Sequence, residues 1–277
     1  MGIVLGIDVG GSTTKIVGLQ DEKCVGMLQV KATDQITSMY GAIGNFLSKH
    51  GLGPVDVSTI CLTGVGASFI DEQIYGIKTI KVSEFDAIGH GALRLTGCSE
   101  ALVASMGTGT AFVRASENGV LHLGGSGVGG GTIVGLASLM LGKSDIDAVL
   151  ALAEKGDIRN IDLSVRDIIG KDIQSLPSDL TAANFGRIKS TASESDIALG
   201  IINMVFETVG MLAVFALKND SVKEVILTGT LATFPRAETV FSEFQKLTGL
   251  TFTIPADAVY ATALGAISHN CPQLPHE

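Results

Sequence analysis

A short apolar run that breaks into a turn of glycines and hydroxyls, then resumes as a second apolar run, occurs twice in this chain. The first copy is Ile3, Val4, Leu5 and Ile7, then Asp8-Val9-Gly10-Gly11-Ser12-Thr13, then Thr14 to Leu19. The second is Ala101 to Met106, then Gly107-Thr108-Gly109-Thr110, then Ala111 to Ala115. After each copy a third strand follows, about Cys24 to Val30 in the first and Val120 to Leu123 in the second, the latter after an Asn118-Gly119 hairpin signal. A repeated β-β-β meander predicts two related sheets. Adjacent small residues let the backbone approach a bulky anion with its N–H groups, and hydroxyls and Lys15 supply further donors, so each turn suits a phosphate. Asp8, at the end of a strand, is placed to hold a hydrated magnesium that bridges nucleotide oxygens. Asp-Gly-Gly-Ser is also an ordinary hairpin turn, and the duplication is what favours a ligand loop.

With 277 residues the chain exceeds the usual single core of roughly 100–200 residues, which predicts two lobes and a cleft, divided here as 1–98 and 99–277. Hydrophobic residues make up 46% and charged ones 17%, so a disordered, solvating chain is excluded. A net charge of −9 without a Lys/Arg cluster argues against a nucleic-acid or anionic-membrane surface and for small-molecule partners. Cys24, Cys61, Cys98 and Cys271 are far apart, which fits reduced thiols in the cytoplasm better than a zinc site or a disulfide framework. The apolar start has no basic flank and meets Asp8 at once, so no signal peptide is expected. The apolar segment Ile197 to Leu217 includes Asn203, Glu207 and Thr208 and reads as a buried helix that packs or dimerises through Ile197, Ile201, Val205, Leu212 and Phe215.

Between the meanders the periodicity predicts a helix from about Asp34 to His50, with Ile36, Met39, Tyr40, Ile43, Phe46 and Leu47 on one face. A buried strand, Val57 to Leu62, a short one, Lys78 to Val82, and a helix from Glu84 to about Leu95 follow. The second half repeats the theme after a glycine-rich stretch, Gly124 to Thr132, which keeps chain entropy high unless the backbone must pass close to something. A helix follows it at once, Thr132 to Leu141, and a helix N-terminus favours an anion. Further on come a helix pair, the long helix, a strand ending in Thr228-Gly229-Thr230, a helix from Pro235 to Leu247, the strand Thr251 to Ile254, and a last helix, Val259 to Ser268, that can cross back to the first lobe.

The order β-β-β-α-β-α in each half, with two such turns, resembles the actin-like ATPase superfamily. Ser83-Glu84-Phe85-Asp86-Ala87, Gly107-Thr108-Gly109-Thr110, Gly124 to Thr132, Gly156-Asp157-x-Arg159, Asp162-Leu163-x-Val165-Arg166-Asp167-Ile168 and Asp179-Leu180-Thr181-Ala182-Ala183-Asn184-Phe185-Gly186 are similar to type II pantothenate kinases. With Asp8-x-Gly10-Gly11-Ser12-x-x-Lys15 the likeness runs in order over nearly the whole chain. The resemblance implies an α/β, two-lobed actin-like ATPase fold of duplicated ribonuclease H-like domains, with ATP in the interlobe cleft. It implies transfer of the γ-phosphoryl group of ATP, with Mg2+, to the primary hydroxyl of pantothenate, the first step of coenzyme A synthesis. Glu84 is then the base. Gly10, Gly11, Ser12, Thr13, Lys15, Thr108, Gly109 and Thr110 serve the phosphates; Gly129, Gly130, Gly131, Gly229 and Thr230 lie by the nucleotide; Ser105, Gly107 and His122 join Glu84 on the substrate side. The family also implies a homodimer.

One position departs from the family: His122 stands where an arginine generally precedes the glycine-rich loop. A different acceptor, such as pantetheine or another small hydroxylated acid, is therefore a second reading. The same fold serves ATPases that energise partner proteins, among them activators of 2-hydroxyacyl-CoA dehydratases with a shared iron–sulfur cluster, although Cys24, Cys61 and Cys98 do not follow that ligand pattern. A catalytically dead sensor is the third, and an intact Asp8, Glu84 and pair of turns weighs against it.

Overall fold

The computed structural model describes residues 2–70, 73–169 and 180–270; Asp179 and Cys271 lie outside the described residues. The first half runs β1 (Ile3–Val9), β2 (Thr13–Gln20), β3 (Lys23–Lys31), α1 (Gln35–Lys49), β4 (Val57–Thr63), β5 (Thr79–Lys81) and α2 (Glu84–Thr96). The second begins β6 (Glu100–Met106), β7 (Thr110–Ser116), β8 (Gly119–Ser126) and α3 (Gly130–Leu141). An insertion of α4 (Ile146–Ala153), β9 (Leu163–Ser164), α5 (Val165–Ile169) and β10 (Thr181–Ala183) leads to α6 (Glu194–Ala216). The half closes with β11 (Glu224–Thr228), α7 (Pro235–Thr248), β12 (Thr251–Thr253) and α8 (Ala261–Asn270).

The two large sheets are copies. One has the order β3-β2-β1-β4-β5, the other β8-β7-β6-β11-β12, each with an antiparallel meander on one side and parallel strands on the other. Helices cover both faces of each sheet, which is why β1, β6 and β11 are buried along nearly their whole length and carry apolar runs rather than an alternating pattern. On the first sheet, Met39, Ile43, Phe46 and Leu47 of α1 pack against Leu5, Ile7, Ile60 and Leu62. The opposite face, with Val17, Leu19 and Cys61, meets Ala263, Leu264, Ala266 and Ile267 of α8. On the second sheet α3, α6 and α7 cover one face, and Ile88 and Ala92 of α2 pack on Ala101, Val103, Val113 and Ile226 of the other. The last helix of each half thus lies on the sheet of the other half.

Several expectations from periodicity shift. Asp34 caps α1, its Oδ1 accepting from the Thr37 N–H at 2.7 Å, but Ile36 at the start of the apolar face is exposed. Gly124, Gly125 and Ser126 belong to β8, and α3 starts at Gly130, so only 127–129 form a loop. The two-residue loop with both φ positive is Asp21-Glu22 (φ 48° and 63°) between β2 and β3, whereas Glu117 and Asn118, the loop between β7 and β8, are not in that region. Helix α6 is long and apolar enough to cross a bilayer, yet Ile201, Ile202, Val205, Phe206 and Val209 are fully buried against the second sheet. Ile197 packs against this core too, whereas Leu212 and Phe215 remain exposed.

α2 and α8 cross backbone to backbone. A Cβ on Gly91 would sit 1.8 Å from the Ala261 carbonyl oxygen, and one on Gly265 would sit 1.8 Å from that of Ala87. No rotamer relieves such a contact, because both partners are main chain. Gly265→Ala should therefore destabilise the fold by about 1–3 kcal/mol, the usual size of overpacking, lowering Tm by about 2–4 °C per kcal/mol for chains near this size. Gly135→Ala, on the exposed side of α3 with open space around its Cβ, should instead hold or raise Tm. Thermal scans of the two variants check both, and an unshifted Tm for Gly265→Ala would refute the close crossing.

Candidate active site

The site forms where the central strands of both sheets end. Asp8, the penultimate residue of β1, is the register partner of Lys15 on β2 and of Thr63 on β4. Register partners project from the same face of a sheet, so the three side chains stand together. Asp8 and Lys15 are both buried, with Nζ 3.4 Å from Oδ2, and each offsets the desolvation of the other. The second sheet repeats the geometry with different chemistry: Ser105 takes the place of Asp8, and its partner on β11 is Thr228.

Gly10 donates to the Thr13 carbonyl at 3.0 Å and Gly107 to that of Gly109 at 2.9 Å, closing the two turns. The turns face one another, with Ser12 Oγ 3.0 Å from Thr108 Oγ1. Behind the second turn, Gly130 N–H donates to Gly107 O at 2.9 Å and Gly131 N–H to Thr108 O at 2.8 Å, so the first turn of α3 fixes its shape. Gly129 lies in the same backbone-on-backbone contact, and Thr110 Oγ1 donates to Val128 O at 2.8 Å. The glycines at 129–131 thus build the turn itself.

Glu84 is the first residue of α2, half-buried. Burial raises its pKa above the ordinary carboxylate value, the Asp8 carboxylate raises it further, and Lys15 lowers it. The same two groups that stand together on the first sheet therefore act on the helix that lies on the second. One residue on, the ring of Phe85 stacks on the imidazole of His122 of β8, with centroids 3.7 Å apart and planes inclined by 11°. His122 is thus placed beside the Glu84 turn.

The donor set fits a nucleotide with a divalent ion. Among the described residues no three His, Cys, Asp or Glu side chains converge as a metal cage. A hard ion here would share Asp8 with water and phosphate oxygens, as magnesium does. Thr14, Thr63 and Thr228 carry buried hydroxyls without a hydrogen-bond partner, all at the strand ends that frame the cleft. Gly229, with φ 86°, follows β11, and a Cβ there would sit 2.4 Å from Met106 O at the second turn. Gly64, with φ 90°, follows β4, and a Cβ there would sit 2.6 Å from Asp8 Oδ1 and 2.7 Å from Val9 O at the first. Thr63 and Gly64 carried no assigned role in the sequence, although the repeat of Thr-Gly after both central parallel strands was there to be read. A cavity of about 480 Å³ between α7 and β12, lined by Phe234, Phe241, Gln245 and Phe252, holds none of these residues.

The model of the Fumble family matches residues 98–239, slightly more than half of the chain. Along its length the chain is 27% identical over 275 residues to the type II pantothenate kinase of Bacillus thuringiensis subsp. konkukian, covering 96% of each. It is 29% identical over 276 residues to the type II pantothenate kinase of Staphylococcus haemolyticus, covering 96% of this chain and 99% of that one. Among solved structures it is similar to the activator of 2-hydroxyisocaproyl-CoA dehydratase from Clostridium difficile with bound ADPNP, with TM-score 0.68, 15% identity, and 99% and 100% of the two chains covered. That likeness shows the fold alone, the two-lobed actin-like ATPase architecture.

The electrostatic arrangement has a direct test in the titration of Glu84, followed by carboxyl carbon NMR with the resonance assigned through Glu84→Gln. Asp8→Asn removes a like charge and should move the titration of Glu84 to lower pH. Lys15→Met removes a favourable cation and should move it to higher pH. An unmoved titration in both variants would mean that Asp8 and Lys15 do not reach Glu84.

Proposed function

Because the chain belongs to the Fumble family, we propose that it is an ATP-dependent pantothenate kinase, making 4′-phosphopantothenate and ADP at the head of coenzyme A synthesis. The observation that carries the reading is a half-buried carboxylate, Glu84, held under the influence of Asp8 and Lys15 beside two facing phosphate-type turns. Relatives named type II pantothenate kinase over 96% of the chain support the acceptor.

ATP lies between an N-terminal lobe of residues 1–98 and a C-terminal lobe of residues 99–277, in the cytoplasm. Gly10, Gly11, Ser12, Thr13 and Lys15 from one side, and Thr108, Gly109 and Thr110 from the other, donate to its phosphates. Gly129, Gly130 and Gly131 support the second turn, and Gly229 and Thr230 flank the adenosine end. Asp8 would hold Mg2+, which when bound would supply positive charge to neutralise the phosphates. Glu84 takes the proton of the pantothenate hydroxyl as its oxygen bonds to the γ-phosphorus, and the bond from that phosphorus to the bridging oxygen of ADP breaks. Ser105, Gly107 and His122 line the acceptor side, His122 donating to the acceptor in the place of the family's arginine. If His122 does not do the arginine's work, Arg159 and Arg166 are the residues to test next; Arg159 pairs with Asp157, Nη2 lying 2.7 Å from Oδ2. The exposed Leu212 and Phe215 of α6 support a homodimer.

Glu84→Gln should lower kcat by a factor on the order of 10² or more while a fluorescent ATP analogue still binds. Pantothenate-dependent ADP release measures the first, and wild-type turnover would remove Glu84 from the chemistry. In the parent enzyme kcat/KM should rise with pH through the raised pKa of Glu84, since only the carboxylate accepts a proton. His122→Ala should raise KM for pantothenate by about tenfold or more, the size of a lost hydrogen bond to a charged group. In a panel of acceptors, equal effects on pantothenate and pantetheine would show that His122 does not face the carboxylate.

A further inference from the structure

Phe85 stands one residue after Glu84, in a motif that gave it no role, and its contact with His122 is specific. The rings lie nearly parallel with centroids 3.7 Å apart, and both residues are exposed, so the contact is not part of the core packed beneath α2. It sits where α2 most needs support. Ser83 holds the N-cap position, but its side chain makes no capping hydrogen bond, leaving the bond from Ala87 N–H to Ser83 O, 3.0 Å, to close the first turn. Uncapped first turns fray. One turn further on, Gly89 abuts Val120, so α2 is seated on β8 at two points, one of them the stack. With 3.6 residues per turn, consecutive side chains point about 100° apart, so holding the Phe85 ring sets the direction of the Glu84 carboxylate.

We propose that Phe85 is a positioning residue for Glu84: its stack on His122 holds the first turn of α2, so that the base and the acceptor-side imidazole are placed by one contact. This rests on the reading of Glu84 as the base. The charged groups that act on Glu84 are Asp8 of β1 and Lys15 of β2; Asp86 shares its helical turn, and His122 of β8 meets the ring of Phe85. Phe85 itself carries no charge. Replacing it therefore alters the carboxylate only through placement and hydration.

The test uses the full-length enzyme with ATP and pantothenate. Phe85→Leu keeps apolar bulk and loses the flat ring; kcat should fall by about tenfold to a hundredfold, with KM for ATP and Tm near the parent values. The acid limb of kcat/KM, set by Glu84, should move to lower pH as water reaches the carboxylate. His122→Phe keeps a stack without the imidazole and should leave that limb in place, whereas His122→Ala should move it as Phe85→Leu does. In a Glu84→Gln background, Phe85→Leu should cost less than about twofold, since a residue acting through Glu84 has nothing left to place. A full further loss in that background, or an acid limb unmoved by Phe85→Leu, overturns the proposal and leaves Glu84 as the base. Parent-like turnover of Glu84→Gln alone overturns the base assignment, and the proposal with it. Should Phe85→Leu unfold, the two His122 variants decide: the same acid limb in both refutes the stack as a positioning contact.

Discussion

The contact on which the rest depends is the crossing of α2 and α8, where Gly91 and Gly265 bring two helix backbones together. Each helix belongs by sequence to one half and packs on the sheet of the other. Any side chain at the crossing would push the helices apart, and with them the sheets. The distance between the facing turns, where Ser12 meets Thr108, is therefore set by two residues that touch neither turn. Because α2 lies on the second sheet and begins beside the first, its first residue, Glu84, falls between the halves.

The site then works by contrast between two copies of one scaffold. The strand registers around Asp8 and around Ser105 are the same, and Thr63-Gly64 and Thr228-Gly229 end the neighbouring strands alike. Only the first copy carries a carboxylate and a lysine there. Paired at 3.4 Å in a buried setting, Asp8 and Lys15 hold a nearly neutral couple that still biases Glu84, because their charges act on it with opposite sign and Asp8 acts more strongly. The second copy, with Ser105, offers hydroxyl and backbone donors without charge, which suits an anion rather than a metal. One duplicated frame thus gives one end with a buried carboxylate and lysine and one end with hydroxyl and backbone donors alone.

The glycine-rich segment has a role that neither a flexible linker nor a free phosphate loop describes. Its first residues extend β8, and its last ones open α3 while bonding to Gly107 and Thr108. Loop character survives only at 127–129. The density of glycine reflects strand, loop and helix N-terminus passing within backbone distance of the second turn.

Local chemistry in the sequence determined the strands, the helices and the duplicated turns, because burial on both faces writes continuous apolar runs and each turn needs its own small residues. Asp8, Lys15, Glu84, Thr108 and His122 could be singled out on the same grounds, by residue type at strand and helix ends and by family likeness. The return of the last helix to the first half could be anticipated; what the one-dimensional pattern could not hold was the reciprocal crossing of α2 onto the second sheet. Nothing in the spacing of Phe85 and His122, 37 positions apart, announces a stack, and a two-residue loop at Asp21-Glu22 adopts positive φ without the Asn-Gly that usually signals it. Likewise Ile36 fits the helical period of α1 yet is exposed, outside the core that α1 forms with the first sheet. Periodicity reports which face of an element is apolar; only the packing of both sheets against the crossed helices decided what that face meets, because contacts between distant segments depend on backbone approach at Gly91 and Gly265 rather than on any local preference.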